Sequence, residues 1–317
     1  MLQPSLFVTS EDEASLAPLL RPRLLELAAH NIFIGGSSWK YEGWLGNIYA
    51  PSRYQTRGRF SKKLFEKTCL REYAETFPTV CGDFAFYQFP SEIFWERLFA
   101  QVPETFQFAF KVPEQITCRA FPQIPRYGAQ GGLMNHTFLD AHLLQDAFLR
   151  LLEPYRYQTA ALIFEFGHSG APVQDFLELL APFLARLPRG FRYAVEIRNP
   201  DYLSARYFSV LRDHNVAHVY NSWTKMPSLA EQIAIPESRT ADFVVTRALL
   251  RPGRPYEEAV RLFSPYTEIR DPNPEVRGAL REIVEVSRAE RRTSFLFVNN
   301  RLEGYAPGTI VHITDDA

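Results

Sequence analysis

Eight short apolar runs recur along the chain, and several of them end in charged or amide residues. They cover residues 32–37, 79–84, 106–112, 159–166, 193–199, 217–222, 242–249 and 293–300. Side chains alternate faces along a strand. In Tyr193-Ala-Val-Glu-Ile-Arg-Asn199 the alternation puts Ala194, Glu196 and Arg198 on one face and Val195 and Ile197 on the other. Between the runs lie segments with helical spacing of apolar residues: 61–77, 91–100, 138–152, 173–187, 203–214 and 274–291. Strands alternating with helices predict parallel βαβ units. Eight of them favour closure into a barrel, since an open sheet of that width leaves edges to protect. The expected fold is a single-domain (β/α)8 TIM barrel over 31–317. An open doubly wound sheet is the competing architecture.

Residues 1–30 read as an N-terminal extension. A helix is expected over 16–29, interrupted by Pro18 and Pro22. Three connections are long, 39–60, 113–137 and 250–273. In a barrel all three follow strands and so rise on the C-terminal face, where such barrels do chemistry.

Composition narrows the functional classes only a little. The chain has 317 residues, and a formal net charge of -1 gives no bulk attraction to nucleic acid or an anionic membrane. No apolar run is long enough to span a bilayer. Glu11, Asp12 and Glu13 stand where a signal peptide would be basic and then apolar. Cys69, Cys81 and Cys118 have neither metal nor redox spacing, and an odd, sparse set suits a reducing compartment. The expected location is the cytoplasm.

Alternation also predicts which polar side chains face the barrel interior near its mouth. These are Asp83 with Cys81 in strand two, Lys111 in strand three and Glu165 in strand four. Glu196 and Arg198 follow in strand five, Asn221 in strand six, Arg247 in strand seven and Asn299 in strand eight. Charged groups in a barrel interior are costly unless paired or bound to ligand. Lys111, Arg198 and Arg247 would clamp a carboxylate or phosphate. Glu196 is the expected proton carrier, with Lys111 and Asp83 beside it. Glu165 and Glu196 on adjacent strands also have the spacing of a glycosidase pair, a weaker reading. Trp39, Tyr41, Trp44, Tyr49, Tyr87 and Tyr305 are expected around the rim, where rings stack on sugars or bases. The scattered histidines offer no metal-ligand spacing, and no metal or cofactor is expected. A nucleophilic Cys81 or Cys118 and a liganding His168 are minor alternatives to inert side chains.

Several of these segments carry a family resemblance. Gly35-Gly-Ser-Ser-Trp-Lys-Tyr-Glu-Gly-Trp-Leu-Gly46 with Ile48-Tyr49 and Pro51 resembles the opening signature of the YecE-like family, catalogued as domain of unknown function 72. Thr79-Val80 with Phe86-Tyr87 and Pro90 fits its second strand, and Phe106–Val112 with Ile116-Thr117 its third. Ala194–Pro200 fits its fifth strand, Asp242–Arg247 its seventh, and Phe297–Asn300 with Gly304–Pro307 its last. The resemblance implies the barrel, implies no established activity, and lifts Trp39, Tyr87 and Tyr305 above the other rim aromatics; Asn300 joins them as an expected binding residue. The chain departs from the family pattern at Cys81, Asp83, Cys118 and Phe164-Glu-Phe-Gly167. Three functional classes follow. The first is an enzyme, a hydrolase, lyase or isomerase, on a small polar or anionic substrate. The second, motivated by the departures, is a catalytically silent ligand- or partner-binding protein. The third is a nucleic-acid or nucleotide-processing barrel, which the charge balance disfavours.

Overall fold

The eight runs form the eight strands of one closed, all-parallel barrel in a computed structural model that describes residues 15–315. They are β1 (Ile32–Gly36), β2 (Thr79–Gly82), β3 (Gln107–Lys111), β4 (Thr159–Phe166), β5 (Tyr193–Ile197), β6 (Ala217–Ser222), β7 (Phe243–Ala248) and β8 (Thr293–Val298). Each strand pairs with its neighbours in sequence, and β8 returns to β1 through five register pairs from Ile32↔Ser294 to Gly36↔Val298. The competing open sheet is thereby excluded. The β1–β2 seam is close at Gly35. A methyl group on Gly35 would stand 1.9 Å from the Thr79 carbonyl oxygen, so only glycine lets the two strands approach.

Two apolar layers follow from the alternation. Phe108, Phe110, Leu162, Phe164, Val195 and Ile197 point outward and pack with the surrounding helices into the main core. Ala109, Ile163, Ala194, Val219, Val245 and Phe297 point inward with Cys81 and plug the barrel. The plug makes the interior a packed core, as in other barrels of this kind. It leaves polar side chains only one place to gather, above it at the C-terminal ends of the strands.

The helices start where short polar side chains can hold free N–H groups. Ser61, Ser91, Ser204 and Asn273 accept from the backbone N–H of Leu64, Phe94, Tyr207 and Val276. Four expectations need correction. The first helix, Ala17–Ala29, runs unbroken through both prolines, because Pro18 sits in the first turn, where no N–H partner is needed. Pro22 costs only the bond to the Pro18 carbonyl. The 138–152 helix begins at Asp140, whose carboxylate takes the N–H groups of His142 and Leu143, and it carries a π-turn at Gln145–Leu149. The 250–273 loop contains a helix, Tyr256–Phe263. β2 ends at Gly82, so Asp83 lies in the turn just beyond it. Helices Leu229–Ile233 and Ala306–Thr314 were not expected from the pattern. Residues 1–14 of the N-terminal extension, with the acidic triplet, lie outside the described residues. Among the described residues no helix is long and apolar enough to cross a membrane.

Candidate functional site

Six charged side chains from four strand ends and one turn meet directly above the apolar plug. The centre is the Glu165 carboxylate. Its Oε2 lies 3.2 Å from Lys111 Nζ and accepts from Arg198 Nη2 at 3.0 Å and Arg247 Nη1 at 2.9 Å. Glu196 lies below. Its Oε1 is 2.5 Å from Arg198 Nη2, and its Oε2 accepts from Arg247 Nη1. Asp83 stands above at longer range, 3.4 Å from Arg247 Nη2 and 4.0 Å from Lys111 Nζ. The strand register accounts for the arrangement, because Glu165 is paired with Glu196 and Asn221 with Arg247 across neighbouring strands. Asn221 Oδ1 accepts from Arg198 Nη1 at 3.1 Å, and its own amide donates to the Ile197 and Val219 carbonyls.

Three cations thus face three carboxylates, and the cluster is formally neutral. Its depth is graded. The Glu196 side chain is 0% exposed, that of Glu165 17% and that of Asp83 39%, while Lys111, Arg198 and Arg247 are all buried. Burial alone would raise the pKa of Glu165. Lys111, Arg198 and Arg247 outweigh it and hold the carboxyl well below the usual carboxylate range. Burial would likewise weaken the hold of Arg247 on its proton, but Glu196 above all, with Asp83 and Glu165, pushes its pKa well above the ordinary value. The Arg247 Nε–H is buried and has no hydrogen-bond partner. Two rings complete the walls. Phe86 lies 3.7 Å from Lys111 Nζ, and Trp223 lies 4.1 Å from the Arg198 guanidinium carbon. Neither was read as a site residue. The signal was available, since Trp223 directly follows β6 and Phe86 follows Asp83 by three.

The remaining expected residues are placed less centrally. Asn299 donates to Ser37 Oγ at 2.6 Å and accepts from the Arg301 N–H, closing the β8–β1 seam and starting the next helix. Asn300 accepts from the Ala306 N–H at 2.7 Å. Tyr305 is buried with its hydroxyl unpartnered, and Trp39 is buried edge-on to Phe84. Tyr87 is half exposed under the Arg126 guanidinium, 4.6 Å from the ring centre. Trp44 and Tyr49 do not face the mouth at all. They pack against Phe65 and Tyr73 of the helix Lys62–Thr76 and against Phe77 just beyond it.

The glycosidase pairing fails on geometry. Both carboxyls would have to face the sugar, and Glu196 lies sealed beneath two arginines. Glu196 is fully buried between Arg198 and Arg247. Burial pushes the Cys81 thiol up to about 12 and that of Cys118 up to about 11, away from the thiolate a nucleophile needs. His168 is exposed and outside the cluster. Among the described residues no group of three or more His, Cys, Asp or Glu side chains is arranged to hold a metal ion.

A TIM barrel with a neutral, interlocked charge cluster at its C-terminal mouth is the class of protein that fold and site define. Within that class, the model of the family described as "Protein of unknown function DUF72" matches residues 33–317, and the chain belongs to that family. A DUF72 family protein of Thermotoga maritima superposes with a TM-score of 0.60 at 18% identity, covering 90% of this chain and 96% of its own. A DUF72 family protein of Enterococcus faecalis gives 0.61 at 16%, covering 90% and 94%. At such identities the likeness concerns the fold. No curated protein matches the chain.

Proposed function

We propose that the protein binds a small polar, anionic molecule at the C-terminal mouth of the barrel, against Lys111, Arg198 and Arg247. The observation that carries this reading is the convergence of all three cations on one carboxylate oxygen, Glu165 Oε2. A pure stability device gains little from such a cluster, because apolar side chains of equal volume stabilise a core as well or better. Holding cations in fixed positions at a face where barrels bind substrates is a gain for recognition. Asp83 is the weakest member, with the longest contacts and the widest exposure. An incoming carboxylate or phosphate competes with Asp83 for Lys111 Nζ and Arg247 Nη2, and leaves the deeper Glu165–Glu196 scaffold intact. Asp83 is also the carboxyl a ligand touches most readily, which makes it the general acid or base of a proton transfer at this site. The reading places binding first and rests no step on Glu196.

The test is a thermal-shift screen at low salt with inorganic phosphate, sugar phosphates and small dicarboxylates. A ligand at about 100 times its Kd stabilises by about 2.7 kcal/mol. Lys111→Met removes one cation and leaves Glu165 paired to two arginines, so a true mouth ligand loses at least tenfold in affinity. Asp83→Asn removes the competitor and tightens the same ligand. Stabilisation by no anion in the panel, or a hit indifferent to both substitutions, would refute the reading.

A further inference from the structure

A cavity of about 330 Å³ lies on the outer side of β4 and shares no residue with the charge cluster. Glu165 and Phe166 are consecutive on β4, so alternation sends the first into the mouth and the second into this cavity. One wall is a continuous run of rings. Phe138 meets Phe166 edge-on at 6.3 Å, Phe166 meets Phe176 at 4.9 Å, and Phe176 stacks on Tyr202 at 5.1 Å and 22°. The Tyr202 hydroxyl is tied to the Ala171 carbonyl at 2.8 Å, which fixes the last ring. Met134 and Leu179 also line the cavity and are exposed, at 57% and 42%.

The polar groups on this cavity are unequal in sign. Arg119 and His168 line it, both exposed, and no aspartate or glutamate does. Among the described residues Arg119 makes no ion pair, so its guanidinium stands free at the edge of the cavity. A volume near 300 Å³ walled by rings is at the lower end of small-molecule sites. An unpaired guanidinium and an imidazole N–H at its edge select the charge of what enters.

We propose that this cavity binds a small amphipathic carboxylate, an aryl or medium-chain acyl acid. Its apolar body lies on the Phe166–Phe176–Tyr202 wall and its carboxylate pairs with Arg119. The site is separate from the mouth and does not depend on the reading given for it. Binding of 2-naphthylacetate, followed by isothermal titration calorimetry, tests the proposal, with 2-naphthaleneethanol as the uncharged twin. The acid binds and the alcohol binds at least fivefold more weakly. Arg119→Glu and Met134→Glu both change exposed side chains, leave the fold intact, and weaken the acid at least tenfold. Asp83→Asn, at the mouth, leaves its Kd unchanged. No binding of the acid, equal binding of acid and alcohol, or binding that survives both rim substitutions would each overturn the proposal. Binding that tightens in Asp83→Asn would move the acid to the mouth and overturn it equally.

Discussion

Replacing Glu196 with glutamine tests whether the cluster is an interlocked electrostatic unit. The side chain keeps its size, so its packing is little changed and the charge is what is lost. Glu196 meets Arg198 through one oxygen and Arg247 through the other, and all three are buried. The substitution leaves three buried cations facing two carboxylates. Breaking a buried pair from one side costs about 3–5 kcal/mol. For a chain of 317 residues the unfolding entropy of about 2.1 cal/mol/K per residue makes 1 kcal/mol worth roughly 1.5 °C. The melting midpoint, followed by circular dichroism, is therefore expected to fall by roughly 5–8 °C. The loss persists in 1 M NaCl, because salt screens buried charges poorly. Adding Arg247→Met restores neutrality, so the double variant is less destabilised than the two single costs combined, by at least about 1 kcal/mol. A loss under about 1 kcal/mol for Glu196→Gln, or strict additivity in the cycle, would refute the reasoning.

Two pH effects and two structural ones follow. The folded pKa of Glu165 lies below its unfolded value, so its contribution is present above about pH 4.3 and is lost as acid drives the pH through the folded value. Glu165→Gln should therefore flatten the fall of denaturant midpoints below about pH 5, and an unchanged slope would count against the triple pairing. His218 is buried among Tyr207, Phe208 and Tyr220, and burial lowers its pKa to about 3. The unfolded chain alone takes up this proton between about pH 6.5 and 3, so the loss of stability from pH 6.5 to pH 5 amounts to roughly 2 kcal/mol and disappears in His218→Gln. An aromatic-disulfide titration at pH 7.5 should find no fast thiol in the folded protein and three after unfolding, since burial raises all three cysteines. Gly35→Ala should cost several kcal/mol or prevent folding, because the Thr79 carbonyl already occupies the space of a methyl group; a stable Gly35→Ala protein would mean the β1–β2 seam is looser than described.

The fold was legible because alternation is a local property. A period of two along Phe106–Val112 and Tyr193–Asn199 tells which side chains face in, whatever the rest of the chain does. The inward set of Lys111, Glu165, Glu196, Arg198, Asn221 and Arg247 follows from that rule alone. Boundaries were less legible where a capping residue or a turn competed with the pattern, as at Asp140 and Asp83. Roles were least legible. Depth along the barrel axis depends on how strands stagger against one another, and no single strand carries that information. Stagger puts Glu196 beneath two arginines and Asp83 at the surface. Both are acids on inward positions, yet only one is open to a ligand. The aromatic positions divide in the same way. Trp44 and Tyr49 sit in the loop after β1 but are claimed by the helix Lys62–Thr76, while Trp223 and Phe86 reach the cations across the mouth. The pattern of the chain determines that charge collects at one end of a closed barrel. Which charges pair, which is exposed and which ring covers them are decided by contacts between residues distant in sequence, and these exist only once the barrel has closed.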